Sequence, residues 1–106
     1  LADQTTRYEE ALELIERAIA ISPDDPAIID SLAWAQYKLG QYEEALENLR
    51  RAFVVFPDHE VASHLGEVLW MLGKEEEATQ VWEEALEETP SSDLIKEVMR
   101  RFQLSR

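Results

Sequence analysis

One regularity limits this chain more than any other: its landmarks return at a fixed interval. Ala11, Ala45 and Ala78 each stand 12 residues before a proline (Pro23, Pro57, Pro90), and each follows a pair of glutamates (Glu9-Glu10, Glu43-Glu44, Glu76-Glu77). The copies are offset by 34 and then 33 residues. A period of that length marks a helical unit that cannot bury its apolar face alone, so that successive units stack and complete one another's core. The expected fold class is all-α, a solenoid of antiparallel helix pairs, and residues 31–57 form its most complete hairpin.

Within the units the apolar residues fall at helical spacing. Tyr8, Ala11, Leu12, Ile15, Ala18 and Ile19 form one stripe; Tyr42, Ala45, Leu46, Leu49, Ala52, Phe53 and Phe56 form another. The segment Ser22-Pro23-Asp24-Asp25-Pro26 ends the first helix, because proline lacks a backbone donor, and Asp25 is placed to cap the next helix with Pro26 in its first turn. Gly40 and Gly73 supply the left-handed residue that a tight turn between antiparallel helices needs. Helices are therefore predicted over residues 8–21, 26–39, 42–56, 60–72, 75–89 and 92–103, with Ser91 or Ser92 capping the last and a Glu47–Arg51 pair on the third. Thr6 falls where Gly40 and Gly73 fall in the later copies, so residues 1–6 read as the end of a preceding helix. On that phase the chain divides into a partial repeat at 1–25, full repeats at 26–59 and 60–91, and a capping helix and tail at 92–106, a C-terminal piece of a longer array.

Charge narrows the partners. Ten basic residues against 23 acidic ones leave a net charge of −13, which repels a phosphate backbone and excludes nucleic acid. Without cysteine there is neither a disulfide framework nor a thiolate metal site. No apolar run approaches the roughly 20 residues that span a bilayer, so this segment is not expected to insert into a membrane.

Two arrangements with chemical potential fail on geometry. His59, Glu60 and His64 spell H-E-x-x-x-H. Residues five apart on a helix lie about 140° apart around its axis, against about 40° for residues four apart, so the two imidazoles cannot share a zinc ion. The serines sit at caps and on helix faces without a base and an orienting group beside them, which leaves no expected catalytic residue, no metal and no cofactor.

The residues Leu32, Ala33, Gly40, Tyr42, Ala45, Leu49, Ala52 and Pro57, followed by Leu65, Gly66, Gly73, Ala78, Trp82, Ala85 and Pro90, resemble the tetratricopeptide repeat family. The departures are a 33-residue third unit and Glu75 in place of the turn tyrosine. The resemblance implies a right-handed superhelix, and a protein–protein interaction scaffold or adaptor that binds a peptide or helix on its concave face, lined by the first helix of each pair. The family's inner positions map to Asp30, Trp34, Tyr37, Lys38, Ser63, Glu67, Trp70 and Met71. Trp34, Tyr37 and Trp70 are expected to be partly exposed there, and Leu32, Ala33, Leu46, Leu65 and Trp82 to be buried. Members that clamp a chaperone's C-terminal carboxylate use Lys and Asn on this face. Asp30 and Trp34 have the wrong charge and shape, so the implied ligand is an apolar or basic segment instead.

The runs DSLAWAQYKLGQYEEAL and FPDHEVASHLGEVLWMLGKEEEA are also similar to the C-terminal repeats of proteobacterial tetratricopeptide outer-membrane lipoproteins. That resemblance implies a lipid-anchored adaptor on the periplasmic side of the outer membrane, with an envelope protease or assembly protein as partner; the residues themselves leave the cytoplasm open. The alternative function is structural self-assembly, a homo-oligomer formed through the open solenoid end at residues 1–21 or through the last helix.

Overall fold

The computed structural model describes residues 4–103, and every regular element among them is helical: α1 Gln4–Ile21, α2 Pro26–Lys38, α3 Tyr42–Val55, α4 His59–Met71, α5 Glu75–Glu88 and α6 Asp93–Gln103. Each helix packs on the next in the chain. The even helices also touch one another, α2 on α4 and α4 on α6, and so form one continuous layer. α3 and α5 make no close backbone approach and are bridged by the ion pair of Arg50 and Glu77 at 2.7 Å. The result is an all-α solenoid in which α6 occupies the place of the first helix of a further pair.

The helix ends follow from local chemistry. Asp25 Oδ1 accepts the Ala27 N–H at 3.0 Å, with Pro26 at the first position, and Ser92 Oγ accepts the Ile95 N–H at 3.2 Å. At the turn after α2, Gly40 has φ +84° and the Gln41 N–H reaches back to the Gln36 carbonyl at 2.8 Å; after α4, Gly73 has φ +82° and the Lys74 N–H reaches Leu69 at 2.9 Å. The same hydrogen-bonded stop is thus built twice, each time on a glycine that takes a positive φ without strain. Thr6 offers no such residue. α1 runs through it from Gln4, contrary to the turn expected at that position, while residues 1–3 lie outside the described chain.

Two smaller expectations also give way. Arg51 bonds to Asn48 at 3.2 Å rather than to Glu47. Phe56 leaves the buried stripe: α3 ends at Val55, the backbone at Phe56 turns extended (φ −143°), and its ring is 54% exposed.

The core is narrow and is built on small residues. Ala33, Ala45, Ala52, Ala62 and Ala78 are wholly buried where helices cross, and Leu49, Leu69 and Trp82 fill the spaces between them. Ala33, Leu65 and Trp82 are buried as expected, whereas Leu32 and Leu46 are only partly covered. Trp82 is the largest fully buried side chain; its Nε1–H donates to the Ser63 carbonyl at 3.3 Å, and Trp70 and Phe102 lie against it at ring-centroid distances of 5.9 Å each.

The Arg50–Glu77 bridge gives a pH dependence of definite sign. The guanidinium hydrogen bond holds the Glu77 carboxyl below its ordinary value of 4.5. A group depressed on folding contributes stability above its unfolded pKa and loses it as pH falls through the folded one. Both side chains are almost half exposed. Glu77→Gln is therefore expected to cost at most about 1 kcal/mol at pH 7. Urea melts at pH 7 and near pH 3 should show that deficit vanish in acid; an undiminished deficit at low pH would mean that Glu77 acts through packing.

Candidate functional site

The face shared by the even helices gathers the mapped residues, but at different depths. Lys38 and Met71 are exposed; Asp30, Trp34 and Trp70 are partly covered; Tyr37, Ser63 and Glu67 are buried. The expectation for the two tryptophans holds, and the one for Tyr37 does not. Its ring lies between Trp34 and Tyr42, at centroid distances of 5.0 and 5.4 Å, and its hydroxyl donates to the Glu67 carboxylate. Burial first, and then the neighbouring carboxylate, push the phenol far above its usual pKa, so it stays a neutral donor. Glu67 is satisfied from the other side by Arg101 of α6 at 2.7 Å. Tyr37, Glu67 and Arg101 therefore make a polar link across α2, α4 and α6. Ser63 contributes the backbone carbonyl that receives the Trp82 indole.

A second link lies one helical turn or two away. Asp30 Oδ1 is 2.9 Å from His64 Nδ1, and because an ionised carboxylate only accepts, Nδ1 carries the proton. The His64 ring stacks on Trp34 at 4.1 Å, and Lys38 Nζ lies 5.0 Å from the same indole. Trp34 thus has an imidazole and an ammonium against its ring, and it lines a groove of about 420 Å³ that Tyr8, Ala11, Ile15, Asp30, Glu60 and His64 also border.

His64 and Arg101 were missed by sequence reasoning, though a signal existed. Glu67 and Arg101 are 34 residues apart, the same position counted from the caps Asp58 and Ser92 and filled by opposite charges, while His64 stands one position past the equivalent of Asp30. His59 and His64 do face different neighbours, Ser92 Oγ at 2.7 Å and Asp30 respectively, as the helical phase required. The structure instead brings Asp30, Glu60 and His64 together, with one ligand-type atom of each within 4.8 Å of the others. The shortest of these contacts is the Asp30–His64 hydrogen bond itself, and it serves as a tie between α2 and α4.

Ser92, His59 and Asp58 have the residue types of a nucleophile, a base and an orienting acid. Ser92 Oγ, however, is occupied as the cap of α6 and its residue is 4% exposed, and Asp58 is 3.8 Å from the imidazole. A buried cap does not meet a substrate. Among the described residues no helix is long and apolar enough to cross a membrane.

A family model described as tetratricopeptide repeat matches residues 31–93, and two more with the same description match 14–47 and 1–25. The chain belongs to the tetratricopeptide repeat (TPR) family. TPR repeats are protein-interaction modules and not enzymes. Over 67 residues the chain is 50% identical to the TPR repeat-containing protein PA4667 of Pseudomonas aeruginosa; that match covers 63% of this chain and 11% of the relative, so the chain spans only about a tenth of it. Among solved structures it superposes on the Sgt2 TPR domain of Aspergillus fumigatus with a TM-score of 0.82 at 26% identity, covering 94% of this chain and 68% of that one. TTC0263, a TPR protein of Thermus thermophilus, gives 0.79 at 25% identity over 91% and 48%. The first TPR of Spaghetti (RPAP3), bound to the HSP90 peptide SRMEEVD, gives 0.82 at 21% identity over 96% and 82%, a likeness of fold.

Proposed function

We propose that this TPR chain recognises a segment of a partner protein along the α2–α4 face, with Trp34 and Trp70 as anchors and with Lys38 and Met71 beside them. The observation that carries the reading is the state of the two indoles: both are held in fixed orientation by neighbouring rings, yet both keep open surface on the layer that the family uses. Rigid, partly exposed tryptophans are the residue type in which binding energy concentrates. Asp30 and Trp34 stand where carboxylate-clamping members have Lys and Asn, which favours an apolar or basic segment over an acidic peptide such as SRMEEVD.

Peptides selected against the chain from a random displayed library provide the probe. Trp34→Ala or Trp70→Ala is expected to weaken their binding by about 2 kcal/mol or more. The loss of fold stability should be modest for Trp34, and larger for Trp70, which also packs on Trp82. Variants that bind normally but melt several kcal/mol lower would make the rings core and overturn the reading.

The reading extends to a setting, an adaptor on the periplasmic side of the outer membrane that serves an envelope protease or assembly protein. It rests on the resemblance of these repeats to outer-membrane lipoproteins. A signal peptide ending at a lipidated cysteine in the parent protein is the expected finding, and a plain cytosolic start would remove the setting. A second reading, homo-oligomerisation, is favoured by Leu14 and Ile21 of α1, which are 64% and 83% exposed. Light scattering of Leu14→Glu and Ile21→Glu tests it: an oligomer that survives both is formed elsewhere.

A further inference from the structure

On the layer away from Trp34 and Trp70, the separation of α3 from α5 leaves a cleft of about 820 Å³ at the C-terminal ends of the two helices. Phe53, Phe56, Pro57 and Ala85 supply its apolar lining, and Asp58, Glu84, Glu87 and Glu88 its charge; no lysine or arginine borders it. The one imidazole there, His59, is bonded to Ser92.

Two features mark this cleft as unfinished. Phe56 turns out of the core stripe at the end of α3 and leaves an aromatic ring more than half exposed. Glu87 and Glu88 occupy the last turn of α5, and neither α3 nor α5 has a basic residue in its last turn. The C-terminal end of a helix carries about half a negative charge, so carboxylates there raise the free energy and a cation lowers it. Elsewhere Glu13, Glu67, Glu77 and Glu97 are paired with arginines. Among the described residues no lysine or arginine forms an ion pair with Glu84, Glu87 or Glu88, and Glu84 bonds only to the neutral amide of Gln80.

We propose that this outer cleft is a docking site for a basic segment of a partner protein, with a bulky apolar side chain seated on Phe56 and Pro57 and with Lys or Arg on Glu84, Glu87 and Glu88. Charge selects this occupant. At this acidic cleft a second copy, with its own net charge of −13, is disfavoured, as is any acidic or phosphorylated segment. A wholly apolar segment would desolvate the carboxylates without pairing them. The site shares no lining residue with the Trp34 groove, so it stands or falls independently of the inner-face reading.

The test is fluorescence anisotropy on the 106-residue chain with a short acetylated and amidated peptide that holds one phenylalanine among lysines and arginines. The triple variant Glu84→Gln/Glu87→Gln/Glu88→Gln, and Phe56→Ser, are each expected to raise Kd about tenfold or more. A control triple, Glu9→Gln/Glu10→Gln/Glu16→Gln, removes the same charge from α1 and should stay within about twofold, as should Trp34→Ala. All of these positions except Trp34 are exposed, so the chain keeps its fold. An equal loss in the control triple would reduce the binding to net charge. A loss confined to Trp34→Ala would put the peptide on the inner face. Undiminished affinity for a peptide with glycine in place of phenylalanine would show that Phe56 seats nothing, and the absence of saturable binding would dismiss the site altogether.

Discussion

Gly66→Ala is expected to destabilise the chain by about 2 kcal/mol or more, although alanine is the better helix former. A glycine inside a helix costs about 1 kcal/mol relative to alanine, so the substitution would stabilise α4 if the space were free. It is not. A Cβ at Gly66 would stand 2.0 Å from Trp82 Nε1, 2.3 Å from Cε2 and 2.7 Å from Cδ1. The indole cannot step aside cheaply, since its Nε1–H is bonded to the Ser63 carbonyl one turn earlier and the Trp70 and Phe102 rings lie against it. Overpacking of a filled core costs about 1–3 kcal/mol and more where nothing can move, which exceeds the helix gain. Urea denaturation of the parent and Gly66→Ala decides the sign; an unchanged or raised midpoint would mean that α4 and α5 separate without cost.

Trp82→Ala should be the most damaging single truncation, at about 3–5 kcal/mol, through lost transfer energy and the cavity left among α4, α5 and α6. Domains of this size have about 5–15 kcal/mol of stability in all, so the variant is expected to be partly unfolded at 37 °C. The two positions are in contact and must be coupled. In a Trp82→Leu background, where no ring occupies the space against the α4 backbone, Gly66→Ala should lose most of its cost. Additive effects in that double-mutant cycle would show that the glycine acts on the helix alone.

Much of this was legible because it is local. Gly40, Gly73, Pro26 and the caps Asp25 and Ser92 set helix ends within a residue or so, and the alternation of alanines with Leu49 and Trp82 marked the core. Thr6 misled because phase alone assigned it a turn, when the turn needs a residue able to hold a positive φ. Phe56 misled in the opposite way: its spacing continues the α3 stripe, but the backbone stops being helical at that residue, and spacing has no meaning beyond the last turn. For the candidate face, the repeat pattern gave the layer but not the depth. The depth of Tyr37 follows from the rings of Trp34 and Tyr42 against it, and a carboxylate as deep as Glu67 is satisfied by Arg101 of the following unit, a pairing visible only when residues one period apart are compared for complementary charge. The outer cleft was hidden for a related reason. Glu84, Glu87 and Glu88 read as an ordinary solvated face until α3 is seen to end with Phe56 turned toward them.

The polar links have a mechanical consequence. Asp30–His64, largely shielded from water, ties α2 to α4, and Glu67–Arg101, a buried carboxylate held by an exposed guanidinium, ties α4 to α6, while α3 and α5 are joined across open space by one exposed ion pair. A beam tied on one side and gapped on the other bends about the tied side. Elastic strain in this solenoid, whether thermal or imposed by tension on its ends, is taken up by changes in the α3–α5 spacing while the rungs between the even helices keep their length.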